Sequence, residues 1–223
     1  FTLTGPGGGR GEADLTFVGV HARTGRGPFY LKGAIAYGQS KSTIDRAVAI
    51  SGTDALRSEV RIHAAAWELE GGMRIERAPA NLTPYLALRL TSLDVPAYAE
   101  TAKSGAATYA LSYRARSADA TRIEVGARAD HRIELAKGDA LVLSGRAALA
   151  RDDGDRVAEA GLTALSGSTF VVRGAEPGKD ARILAAAARY DFASGLSLAA
   201  GAEGRWSDGR DLVAATLTAR YAW

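Results

Sequence analysis

Apolar and charged residues alternate with a period of two along most of this chain. Between Thr121 and Leu135 one parity reads Ile123, Val125, Ala127, Ala129, Ile133 and Leu135, broken only by His131. The other reads Arg122, Glu124, Gly126, Arg128, Asp130, Arg132 and Glu134. A strand sends successive side chains to opposite faces, so this segment has one apolar and one densely charged face. The same alternation places Phe29, Leu31, Gly33, Ile35 and Tyr37 opposite Tyr30, Lys32, Ala34, Ala36 and Gly38. It also sets Trp67–Ile75 odd positions against Glu68, Glu70, Arg74 and Glu76, and Leu86, Leu88 and Leu90 against Ala87 and Arg89. It recurs over 139–149, 183–192, 196–206 and 212–223. The first candidate strand, Leu15–Ala22, alternates poorly, and its faces stay open.

Connections fall into two lengths. Short ones are expected at Arg23–Gly27, Ala78–Thr83, Lys137–Asp139 and Ala193–Gly195, long ones near Thr43–Arg57, Val95–Asp119 and Gly154–Asp180. They alternate until the last hairpin, whose link at Ser207–Asp211 is short. A meander through a bilayer gives this sorting, with tight turns on one side and longer loops on the other.

Alternation alone does not say which parity points inward. A soluble barrel is apolar inside, and a membrane barrel is apolar outside. Three features favour the membrane form. The strands run to about 10–14 residues, nearer the length that crosses a bilayer than the common five or six. Aromatics cluster at strand ends on the apolar parity: Tyr37, Trp67, Tyr190, Phe192, Trp206, Tyr221 and Trp223, as in interfacial girdles. The apolar parity is also rich in Ala and Gly, which would leave a soluble core under-packed. The expected fold is all-β, an antiparallel up-and-down transmembrane β-barrel, with about nine strands in these 223 residues. Residues 1–14 read as loop or linker, including Gly7–Gly11, and 15–223 as the barrel.

Composition agrees and removes alternatives. Apolar residues make up 47%, charged residues 24% and aromatics 7%, with 26 glycines and 6 prolines, too apolar for a disordered chain. No apolar run is long enough for a transmembrane helix, and no signal peptide opens the chain. The net charge of +3 comes from 28 basic and 25 acidic residues that are interspersed, so no nucleic-acid partner is expected. There are no cysteines. His21, His63 and His131 lack a second ligand at metal spacing, and no nucleophile motif is present. No metal, cofactor or catalytic residue is therefore expected; the chain does not read as an enzyme.

Several segments resemble the autotransporter β-domain, the translocator of type V secretion. Gly167–Ala175 followed by Lys179-Asp180-Ala181 is similar to that family's long-loop signature before the last three strands. Tyr98-Ala99-Glu100 followed by Ser104-Gly105-Ala106 resembles a second loop signature, and Arg46 matches a recurrent loop arginine. Glu124-Val125-Gly126-Ala127-Arg128 looks like the family's Leu-Gly-x-Arg strand motif, and the close on Tyr221-Ala222-Trp223 looks like its terminal aromatic strand. The resemblance implies a twelve-stranded barrel of the Gram-negative outer membrane, of which Leu15–Ala22 would be the fourth strand. It implies a pore that takes part in exporting its own N-terminal passenger, with a linker helix in the bore. A passive porin-like or structural barrel without a passenger is the alternative.

On this reading Lys32, Glu68, Glu70, Arg74, Arg89, Arg122, Glu124, Arg128, Asp130, Glu203, Arg205 and Arg220 line the lumen, either as a hydrated lining or as salt bridges that stiffen the wall. Leu217, Tyr221 and Trp223 form an assembly signal. The implied partners are outer-membrane lipid, the barrel-assembly machinery and the chain's own passenger and linker helix.

Overall fold

The computed structural model describes residues 2–4, 9–49, 54–77, 79–154, 157–165, 167–173 and 178–222. Nine long strands carry the alternating segments: β1 (Arg10–Arg26), β2 (Phe29–Val48), β3 (Asp54–Met73), β4 (Ala80–Val95), β5 (Arg116–Glu134), β6 (Ala140–Gly154), β7 (Asp180–Asp191), β8 (Leu196–Ser207) and β9 (Arg210–Tyr221). Each pairs antiparallel with the next in sequence, giving an up-and-down sheet in the form of a half-barrel. Short strands Thr2–Thr4, Ile75–Arg77 and Thr101–Ser104 attach to it at β1, β4 and β3. Among the described residues the outer edge of β9, and that of β1 from Asp14 onward, have no strand partner.

The register carries one parity unbroken across the sheet. Ile35 pairs with Trp67, Trp67 with Leu90, Leu88 with Ile123, and Val125 with Leu149. Tyr190 pairs with Leu198, and Ala200 with Leu217. Most of the large residues of this parity are exposed, Leu217 by 86%, and none is buried. The opposite parity is concave. Tyr30 of β2 and Arg128 of β5, three strands apart, touch across it, and Tyr85 and Glu70 there are each only 4% exposed. The face that would form a soluble protein's core is thus on the outside.

β2 and β3 each run 20 residues and β5 runs 19, well beyond the expected 10–14. The first long connector shrinks because Thr43–Val48 and Asp54–Arg57 continue the β2–β3 ladder. Beyond Tyr37 the outer parity of this hairpin turns polar (Gln39, Lys41, Thr43 and Asp45) while the inner one mixes serines with Ile44, Leu56 and Val60, so the apolar-outside alternation is lost while backbone pairing continues. β1 likewise starts at Arg10 and pairs with Thr2–Thr4, so within the expected 1–14 linker residues 2–4 and 10–14 are strand; Gly7 and Gly8 lie outside the described residues. Pairing with β2 also settles the faces of β1. Val18 and Val20 join the outer apolar face beside Tyr37 and Ile35, and Phe17 and His21 join the concave face.

The outer apolar band spans about nine residues per strand, such as Phe29 to Tyr37 and Leu82 to Leu90, the length a tilted strand needs to cross hydrocarbon. At one end the strands join through tight connections: Gly27–Pro28, the 3-10 turn Ala136–Gly138, and Ala193–Gly195. Gly27 and Gly195 hold positive φ there, at 59° and 88°, which a residue without Cβ adopts at little cost.

At the other end the long loops are structured. Phe170–Arg173, Val157–Leu162, Leu111–Tyr113 and Tyr98–Ala99 form a second sheet in that order, so two loops share one ladder. The Tyr98 and Tyr113 rings stack at 4.5 Å within it.

Candidate functional site

The concave face holds a continuous polar network across β2–β8. Glu70 of β3 receives a bidentate pair from Arg128 of β5, with Nη1 to Oε1 at 2.9 Å and Nη2 to Oε2 at 2.7 Å. It also accepts from the Tyr30 hydroxyl at 2.9 Å. The Arg128 guanidinium lies over the Tyr85 ring, 3.8 Å from its centroid. Tyr85 donates to Glu124 at 2.5 Å and accepts from Arg146 Nε at 2.7 Å. Arg146 also donates to Glu124, and reaches Glu203 of β8 at 3.1 Å. Glu70 and Glu124 are charges largely withdrawn from water, and a planar arginine fork is the group that satisfies such carboxylates.

Glycines make room for the aromatic members. A Cβ on Gly72 would come within 2.6 Å of the Tyr30 ring, and one on Gly126 within 2.8 Å of the Tyr85 hydroxyl. Tyr30 and Tyr85 therefore lie flat against the wall, which places their hydroxyls beside the carboxylates.

A cavity of 320 Å³ opens in the middle of this face. It is lined by Lys32, Glu68, Glu70, Ala87, Arg89, Arg122, Glu124, Arg128, Arg146 and Glu203. Eight of the residues expected along a lumen are thus brought together. Glu68 sits between Lys32 at 3.4 Å and Arg89 Nε at 3.1 Å. Arg122 reaches Glu124 only at 3.5 Å and Asp152 at 4.0 Å.

The other four lie on the same face away from the cavity. Arg74, just past β3, donates to Asp130 at 3.1 Å near the tight turns, where Asn81 also donates to Asp130 at 2.9 Å. Arg205 pairs with Asp152 toward the loops. Arg220 stands opposite Ser197 on β9, exposed and without an ion pair among the described residues. Arg146, Tyr30, Tyr85 and Asp152 were not anticipated as site residues. The first three share the charged parity, which was the available signal; Asp152 lies past the segment whose alternation was legible.

The loop residues also converge. Arg46 donates through Nε to Glu100 at 2.9 Å and through Nη2 to the Tyr109 carbonyl at 2.8 Å. Glu100 accepts the Leu111 amide at 2.8 Å. Asp54 accepts the Ala106 amide at 3.0 Å. Burial pushes the hydroxyl pKa of Tyr98 and Tyr113 up. Of the terminal set, Leu217 and Tyr221 are exposed on the outer face of β9, and Trp223 lies outside the described residues.

An antiparallel wall with an apolar exterior and an ion-paired interior is the inverted arrangement of a membrane β-barrel. The chain belongs to the autotransporter beta-domain family, whose profile matches residues 2–203. Two solved structures share the fold. One is the beta domain of the Bordetella autotransporter BrkA, at 21% identity and TM-score 0.67, covering 100% of this chain and 78% of that one. The other is the translocator domain of the autotransporter NalP from Neisseria meningitidis, at 19% identity and TM-score 0.71, covering 96% and 68%. No curated protein matches the sequence.

Proposed function

We propose that this chain forms part of the wall of a Gram-negative outer-membrane translocation pore, which takes part in exporting a passenger belonging to the same polypeptide. The observation that carries this is the partition of the two faces: a band of apolar side chains outside, and a cavity lined by ion-paired side chains inside. In hydrocarbon an unpaired strand edge is costly, so the open edges of β1 and β9 require further strands to close the barrel. The twelve strands of the family give a bore between the filled eight-stranded and open sixteen-stranded cases, wide enough for one helix of about 10–12 Å diameter.

Fixed ion pairs suit a lining past which a chain moves. Each carboxylate already has its arginine, so a passing segment meets few unpaired charges that would hold it. The pairs therefore stiffen the wall and wet it at once. Leu217, Tyr221 and Trp223 are proposed as the segment read by the barrel-assembly machinery; the exposure of Leu217 and Tyr221 on the outer face of β9 supports this.

The test is to narrow the cavity without breaking its pairs. Ala87→Trp, in full-length protein expressed in cells, is expected to lower surface passenger several-fold in protease-shaving assays, while the amount of heat-modifiable folded barrel is kept. Undiminished surface passenger with a folded Ala87→Trp barrel would contradict the export role and favour a passive barrel.

A further inference from the structure

We infer that the outer face carries a binding site for a phosphorylated lipid where β5–β8 leave the apolar band on the loop side. A groove of 610 Å³ lies there, floored by Ile123, Val125, Leu149 and Trp206 and edged by Arg151 and Arg182. The inference rests on the membrane reading above, which puts this face against lipid.

The placement of the two arginines is what singles the groove out. On each strand the outer parity changes character one pleat beyond the last apolar residue. On most strands the residue there is Gln39, Ala65, Ser92, Thr121 or an aspartate. On β6 and β7 it is Arg151 and Arg182. They sit on neighbouring strands as diagonal neighbours, because Arg182 pairs with Leu149, two residues from Arg151. Diagonal outward side chains about 7–8 Å apart at their Cα atoms can close on one anion.

Among the described residues neither guanidinium makes a hydrogen bond. Arg182 is exposed and has no ion pair among the described residues. Its register partners are Leu149 on one side and Trp206 on the other, so its row offers it no acceptor. Arg151 reaches Asp180 at 3.6 Å, too long for a hydrogen bond, and its side chain is 67% exposed. Asp180 and Asp208 are the carboxylates at the groove. Asp180 is the register partner of Arg151, and Asp208 lies two residues beyond Trp206 on the β8 side. Arg182, one pleat nearer the apolar band than Asp180, is the cation that a phosphate reaching out of the band meets first, with Arg151 diagonally beside it.

The floor argues for a lipid rather than a free anion. Ile123, Val125 and Leu149 are all exposed and run from the arginines toward the middle of the band. The Trp206 ring lies over Gly204, walling the groove on the β8 side. An acyl chain along this floor and a phosphate at Arg151 and Arg182 satisfy both halves together. Charged side chains at the edge of a bilayer gain from anionic headgroups, and arginine binds phosphate through two parallel hydrogen bonds.

The experiment uses the full-length protein carrying this segment, reconstituted in nanodiscs, with native mass spectrometry of the ejected complex. The probes are a bisphosphorylated acylated glucosamine disaccharide, the same lipid without phosphates, and inorganic phosphate as competitor. The phosphorylated lipid is expected to stay bound, the dephosphorylated one to bind at least tenfold more weakly, and millimolar phosphate to leave the complex intact. Arg151→Gln and Arg182→Gln should each weaken binding roughly tenfold, whereas the exposed pair Lys41→Gln/Arg61→Gln on β2 and β3 should leave it unchanged. Equal retention of the two lipids, unchanged binding in the double arginine variant, or displacement by inorganic phosphate would overturn the site. Failure of the protein to enter the nanodisc at all would instead overturn the membrane reading on which it rests.

Discussion

Gly126 shows how one residue links sequence to network. It lies between Glu124 and Arg128, both of which point to the concave face with it, and it is the position over which the Tyr85 hydroxyl rests. A Cβ there would meet the Ala147 carbonyl and the Ala148 Cβ at 2.7 Å as well as the tyrosine. Gly126→Ala is therefore expected to destabilise the barrel by about 1–3 kcal/mol, the usual cost of overpacking. Urea unfolding in lipid vesicles measures it; a loss below a few tenths of a kcal/mol would show that Tyr85 is free to move away. The motif containing Gly126 was legible in the sequence, but the reason for the glycine was not. Tyr85 is on a different strand, 41 positions earlier in the numbering, and only the β4–β5 register brings the two opposite each other.

At the scale of elements, the β2–β3 hairpin projects past the apolar band and carries its own ion pair. Arg57 donates to both carboxylate oxygens of Asp45, at 2.7 and 2.8 Å. These bonds hold the Asp45 carboxyl at about 2. A carboxyl depressed in the folded state stabilises fully above its unfolded value of about 4 and loses that contribution as pH falls through the folded value. The pair should thus survive at pH 5 and vanish between about pH 4 and pH 2. An NMR titration of the Asp45 carboxyl with a midpoint near 4 would contradict the clamp. This hairpin was read from the sequence as a loop because its outer face turns polar, and polarity pattern was the signal in use. The ladder that continues through Val48 is held by backbone hydrogen bonds, which leave no mark on composition. β9 tests the other end of the sheet. Tyr221 pairs with Leu196 beside the Ala193–Gly195 turn, outward and exposed, so Tyr221→Ala is expected to reduce assembled barrel several-fold in outer-membrane fractions with little effect on synthesis. Unchanged barrel yield would remove Tyr221 from the assembly signal.

For the whole molecule, the decisive property is which face meets lipid. Eight of the twelve residues assigned to the lumen from parity alone meet around one cavity, because a period of two survives any register that pairs like faces. Parity does not give distance along the strand. Arg74 and Asp130 therefore fall near the turns and Arg205 near the loops, although all share the face. Nor does it report reach across strands, which made Arg146 a hub between Glu124 and Glu203.

The chain has no cysteine of its own, so single introduced thiols report position cleanly. The most direct measurement is thiol accessibility in intact outer membranes, with one cysteine at a time at Arg89, Glu203, Val125, Leu198 and Leu217. The inverted arrangement predicts fast reaction of the Arg89→Cys and Glu203→Cys variants with a charged, water-soluble thiosulfonate. It predicts that Val125→Cys, Leu198→Cys and Leu217→Cys stay unmodified until a membrane-permeant maleimide is used. Rapid labelling of the three apolar positions by the charged reagent, with Arg89→Cys and Glu203→Cys protected, would contradict it.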